Sequence, residues 1–258
     1  MTVRTVFLSI SLIAASTLTS ASLQSAESIS IRADIWAPYN AQPDADHPGF
    51  TIEMVKEVFA PHGVTIDYQI MPWARAVQAC KAGEIDSVMG ASGLEEGTLI
   101  GKEPLALGAN CLIGLSDQAW KYTDLASLDK IKLAYPRGYN YETAVDAYLR
   151  ANTAKNITEV GGDEPLIQAI ALLERKRVDG YIEDSLVFFA ALPEAKKKQF
   201  KVLGALTEPA PLYLAFSAVK PKAKQWAEWL DQGLAEMKKN GRRAAILARY
   251  GIVEPASP

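Results

Sequence analysis

Residues 71–92 read MPWARAVQACKAGEIDSVMGAS, and the pattern decides the fold class. Pro72 suits the first turn of a helix, where its missing N–H leaves no bond unmade. Trp73, Ala76, Val77 and Cys80 follow at i, i+3, i+4 and i+7, one apolar stripe. Gly83 is placed to end that helix with positive φ. Residues 85–89 then make a short strand, with Gly90-Ala91-Ser92 as a loop at its C-terminal end. Open α/β sheets bind ligands just beyond their strand C-termini. The unit therefore aims Ser92 at a cleft.

A shift of 93 residues brings up a second copy: Ala76-Val77 falls on Ala169-Ile170, Ile85-Asp86 on Val178-Asp179, and Ser92 on Ser185. Its loop carries Glu183-Asp184-Ser185. Two such units predict two α/β lobes whose strand ends face each other across a cleft. Two unrelated βαβ units would share this periodicity, so the repeat alone leaves both readings open. Asp86 and Asp179, matched across it, read as structural.

Working outward, the chain has 258 residues, 49% hydrophobic and 22% charged, enough for one or two ordinary globular domains. Arg4, an uncharged apolar run and small residues through Ala26 read as a secretory signal peptide cleaved between Ala21 and Ala26. The apolar run is about 13 residues, short of the ~20 that span a membrane. With no Cys nearby, no lipid anchor is expected. Cleavage removes Arg4 and no acid, leaving 26 of the 27 basic residues against 30 acidic ones. That balance gives no support to nucleic-acid binding. Export favours a disulfide between Cys80 and Cys111. Two buried thiols are the alternative, because Cys80 lies on the apolar stripe.

Elsewhere, residues 29–35 alternate as a strand that runs into Trp36-Ala37-Pro38-Tyr39. Thr51 is placed to N-cap a helix carrying Ile52, Val55, Val58 and Phe59. Residues 64–70 are the next strand, and 93–101 a loop. Residues 105–115 and Pro209-Ala210-Pro211 read as crossings between lobes. The second lobe offers strands at 131–135 and 157–160, a loop at 136–140 and a helix over 142–150. After a return strand at 212–219, a helix with Trp226, Trp229, Leu230, Leu234 and Met237 on one face reads as core and stops at Asn240-Gly241. A last helix covers 242–250.

The pieces DIWAPYN, PGFTIEMVKEVF, PWARAVQACKAGEIDSVMGA, VDGYIEDS and ILARYG, in this order and spacing, resemble the family 3 extracellular solute-binding proteins. These are the periplasmic receptors of polar amino-acid uptake systems, and the resemblance runs over about residues 28–252. It implies an α/β, two-lobed periplasmic-binding-protein fold of type II that closes on one ligand. Lobe 1 would comprise 27–108 plus 213–258, and the hinge crossings with lobe 2 would occupy 109–212. By the same resemblance Trp36 stacks on the ligand with Tyr39 close behind, and Ser92 offers its hydroxyl. Tyr139 and Asn140 sit in the loop that receives the ligand's carboxylate end, and Asp184 pairs with its ammonium. One feature departs from the family. The Arg expected five to seven residues after the first-lobe strand loop is missing from 92–98. A carboxylate is best gripped bidentately by a guanidinium. Either Arg75 or Arg137 substitutes, or the ligand is not an ordinary α-amino acid. Glu95-Glu96 tolerates a cationic ligand better than an anionic one, or is simply a solvated loop.

No enzyme chemistry is expected. His47 lies in a Pro-rich loop and His62 at a helix stop, and no Ser–His–Asp set, zinc spacing, phosphate loop or dinucleotide fingerprint occurs. The expectation is a periplasmic monomer without metal or cofactor. It would take a small polar ligand to the membrane permease of an ABC-type importer. The alternatives are delivery to a membrane sensor and, less favoured, a dehydratase-like activity resembling the periplasmic cyclohexadienyl dehydratases.

Overall fold

The computed structural model describes residues 27–93, 96–162 and 164–253. The expected signal peptide lies outside the described residues. The chain opens with β1 (Glu27–Ala33), in which Ile29, Ile31 and Ala33 alternate inward. There follow α1 (Phe50–Phe59), β2 (Val64–Ile70), α2 (Trp73–Ala82), β3 (Ser87–Ala91), β4 (Thr98–Leu99) and β5 (Ala106–Gly108). The chain then makes β6 (Asn110–Leu115), β7 (Leu133–Pro136), α3 (Thr143–Asn152), β8 (Ile157–Val160), α4 (Pro165–Glu174), β9 (Gly180–Asp184) and α5 (Ser185–Ala190). It finishes with α6 (Glu194–Lys197), β10 (Phe200–Ala205), β11 (Ala210–Ser217), α7 (Ala223–Lys239) and α8 (Arg242–Arg249).

The strands sort into two sheets. The first runs β2-β1-β3-β11-β4, with β5 paired to β11; the second runs β10-β6-β9-β7-β8. Strand β1 is parallel to β2 and β3, and β7 is parallel to β8 and β9. Each parallel trio is then flanked by an antiparallel strand, β11 on β3 and β6 on β9. The two lobes thus repeat one plan, and β3 and β9 are offset by the 93 residues of the sequence repeat. The matched acids do the same job in each lobe. Asp86 Oδ2 accepts the Ser30 N–H at 2.8 Å and its hydroxyl at 2.7 Å, while Asp179 Oδ2 accepts the Lys132 N–H at 2.8 Å. Each pins the start of its central strand.

The chain leaves the first sheet after Gly108 and enters the second at Asn110; it returns through residues 206–209. The expected crossing at 105–115 is therefore two strands, one in each sheet. The loop expected at 93–101 contains β4, which finishes the edge of the first sheet. Thr51 does not cap α1. It lies inside the first turn, where its hydroxyl donates to the Tyr39 carbonyl at 2.7 Å, and Gly49 takes the cap position at φ 110°. Gly83 and Gly241 do adopt left-handed φ at helix ends. On α7, Trp226, Leu230, Leu234 and Met237 are buried against the first-lobe core. Trp229 is only half-buried and stacks on His62 at 3.9 Å.

The expected disulfide is not formed: Cys80 and Cys111 are both free. Cys80 packs with Val88 and Ala215 in the first lobe, whereas Cys111 packs with Tyr181 and Phe188 in the second. Each thiol serves as a small apolar group in its own core. Burial pushes the Cys80 thiol up to about 11.

Candidate ligand-binding site

The C-terminal ends of β1, β3, β7 and β9 meet between the lobes, and the first of their loops is shaped by its own backbone. Trp36 N–H donates to the Asn40 carbonyl at 2.8 Å, and the Asn40 side chain donates to the Asp34 carbonyl at 2.6 Å. Beneath this loop Tyr39 stacks on Trp36 at 4.3 Å and against Phe50 at 4.9 Å. The folded loop holds Asp34 and Trp36 towards the second lobe.

That lobe answers with Tyr139 and two adjacent acids on β9. The Tyr139 hydroxyl donates to Asp34 Oδ2 at 2.6 Å, and the Trp36 indole N–H donates to Glu183 Oε1 at 2.7 Å. The Tyr39 hydroxyl lies 3.2 Å from Asp184 Oδ2 and 3.0 Å from the Leu107 carbonyl. The donors that hold Asp34 and Glu183 are thus neutral: a phenol, an indole and, for Glu183, the Asp184 N–H at 2.9 Å. Burial pushes Asp34 up to about 6, with the Tyr139 bond opposing. Burial pushes Glu183 up to about 8; the Trp36 bond opposes and the charges of Asp184 and Asp34 add to the rise. Nearby, the hydroxyls of Tyr141 and Tyr181 are buried without a hydrogen-bond partner. The site is acidic, desolvated and short of donors that carry charge.

A cavity of about 90 Å³ opens here, lined by Asp34, Trp36, Trp73, Ser92, Tyr139 and Asn140, with Asn40, Met89, Gly90, Asn110 and Leu212 completing it. A larger space of about 280 Å³ adjoins it and shares Asp34, Trp73 and Tyr139 as walls.

Residues 29–96 match the family model of bacterial extracellular solute-binding proteins, family 3. Over this segment the chain is similar to that family. A search of curated protein sequences returns no match. Among solved structures, a histidine kinase sensor domain with similarity to periplasmic binding proteins superposes with a TM-score of 0.72 at 19% identity, covering 88% of this chain and 98% of that one. A mutant of ArgBP from T. maritima gives 0.71 at 17% identity, with 86% and 94% covered. An ancestral amino acid-binding protein, a precursor of cyclohexadienyl dehydratase, gives 0.67 at 21% identity, with 86% and 95% covered. The fold is that of the two-lobed periplasmic binding proteins.

Within this two-lobed fold the candidates from sequence separate into groups. Trp36, Ser92, Tyr139 and Asn140 line one cavity. Tyr39 is buried behind Trp36. Asp184 is buried as the N-cap of α5: Oδ1 accepts Leu186 and Val187 N–H, and Oδ2 accepts Ala109 N–H at 3.0 Å. Its oxygens face protein donors; neither it nor Glu183 lines the cavity, and Glu183 lies behind the Trp36 indole that donates to it. Arg137 lines the adjoining space. Arg75 is exposed on α2 and lines neither. Asp34, Glu183 and Trp73 were not singled out as site residues from sequence. Asp34 opens the quoted DIWAPYN and Glu183 precedes Asp184, so position alone pointed at both. Trp73 was read as helix stripe; it packs on that core and also faces the cleft, edge-on to Tyr139 at 6.5 Å.

Proposed function

We propose that this protein is a periplasmic solute-binding protein that captures a small cationic ligand, an amino acid or related amine, between its lobes and delivers it to an ABC-type importer. The observation that carries the reading is the convergence of Asp34 and Glu183 from opposite lobes, both held by neutral donors. A buried carboxylate without a counter-charge is costly, and a ligand ammonium or guanidinium supplies that charge. Trp36 and Trp73 offer aromatic faces for the same cation. The lack of Arg in 92–98 agrees, since nothing there favours an anionic head group. Solved structures of the same fold include an ancestral arginine-binding protein bound to arginine and a substrate-binding protein bound to L-arginine.

Native mass spectrometry of the protein released gently from the periplasm tests this. A co-purifying amine, or one retained from an added amine panel, is the expected result. Retention of a carboxylic acid or sugar in preference to every amine would overturn it.

A further inference from the structure

The cavity at Asp34 and the larger space beside it have three lining residues in common, Asp34, Trp73 and Tyr139, so a ligand long enough can occupy both. We propose, resting on the reading of Asp34 as a cation site, that the ligand is longer than a free α-amino acid and ends in an anionic group held by Arg137. The ammonium would replace the Tyr139 phenol on Asp34, and an apolar stem would run past Trp73 into the second space.

Three features of that space support this. Pro72, Pro136, Val160 and Pro165 make its wall largely apolar, which suits a methylene stem and not a second polar head. Arg137 supplies its positive charge. A Cβ at Gly161 would lie 3.0 Å from Arg137 Nη1, so the guanidinium rests against bare backbone at the cavity wall. Among the described residues Arg137 pairs with Glu159, at 3.4 Å, and 67% of the Arg137 side chain is exposed. Such an exposed pair is weak, and a bidentate carboxylate outcompetes it. Glu159 also accepts the Tyr135 hydroxyl at 2.5 Å, so it keeps a partner when Arg137 turns to the ligand. A third pocket touches Asp34 as well, but its other charged residue is Glu164, which would repel an anionic end.

Calorimetric titration of the exported protein with γ-aminobutyrate, ε-aminocaproate and ω-aminocaprylate, each against the alkylamine of equal length, tests the proposal. The alkylamine controls for burial of the stem. At the shortest length the plain amine should bind better, because the ligand carboxylate still lies in the cavity that Asp34 lines. At the longest, the ω-amino acid should bind about ten-fold tighter than its amine. Arg137→Gln should erase that advantage, so that the ω-amino acid and its amine bind the variant equally, and Arg137→Lys should restore part of it. A carboxylate that never helps at any length, or an advantage that survives Arg137→Gln, would overturn the inference while the cation site stands. Failure of every amine to bind would instead overturn the parent reading, and this one with it.

Discussion

Two carboxylates with opposite duties sit within one stretch of β9. Asp184 points its oxygens at the Ala109, Leu186 and Val187 N–H groups and holds α5 in place. Glu183, one residue earlier, faces Trp36 across the cleft and, with Asp34, has a proton affinity raised by burial. Asp34→Asn should therefore weaken cation binding by about 2–5 kcal/mol, as expected for a desolvated charge pair that loses one partner. Isothermal titration on the purified variant reads this directly, and unchanged affinity would remove Asp34 from the site. The raised values also set a pH trend for the ligand-free protein. Glu183 rises from 4.5 to about 8 and Asp34 from 3.8 to about 6, so the folded state holds more protons than the unfolded one in between. Stability from these groups is complete below the unfolded values and is lost as pH climbs through the folded ones. Asp67, Asp86 and Glu53 are shifted down and act oppositely, losing stability only as pH falls below the ordinary carboxylate range. Thermal melts of the ligand-free protein should thus decline from about pH 5 to pH 8. Glu183→Gln should flatten most of that decline; a variant with the wild-type slope would count against the assignment.

At the scale of elements, β9 and α5 form a strand-to-helix corner whose integrity rests on the Asp184 cap. Asp184→Ala leaves buried N–H groups unpaired, and should lower the stability of the ligand-free protein by about 1–3 kcal/mol. Urea unfolding measures it, and a loss confined to ligand affinity would return Asp184 to the role the family resemblance implied. The same corner shows where sequence was informative. The repeat of 71–92 at 164–185 located β3 and β9, their matching Asp pins and the strand-end loops, because these follow from local periodicity and short-range capping. Adjacent acids on one strand defeat such reasoning: residues at i and i+1 face opposite sides, and only the neighbouring loops decide which side is the cleft. The cysteines failed for a related reason. Their even count favoured a bridge, but β6 carries Cys111 into the second sheet one residue after the chain leaves the first. Arg75 and Arg137 were equivalent in sequence, and only the tertiary placement of their helix and loop set them apart.

For the whole molecule, the lobes touch through contacts that a ligand of the proposed kind would rearrange. Tyr139 to Asp34 and Trp36 to Glu183 join them across the cleft, and Gly138 approaches Ala74 so closely that a Cβ would sit 3.1 Å from the Ala74 methyl. These hydrogen bonds, like that of the Tyr39 hydroxyl to Asp184, are made to carboxyl groups, so they bear on the ionisation of the site. The two strand-to-strand crossings, at Ala109 and at 206–209, are short enough to act as hinges for opening and reclosure. Entry of a cation then has a chemical signature: it replaces a proton. Near neutral pH, Glu183, raised to about 8, is held mostly protonated in the free protein and must ionise to pair with an ammonium. The direct measurement is calorimetric titration of the tightest-binding amine at pH 7 in two buffers of different protonation enthalpy. Release of about one proton per ligand is predicted, falling towards zero in Glu183→Gln. Cation binding with no proton released, or with a proton taken up, would contradict the account.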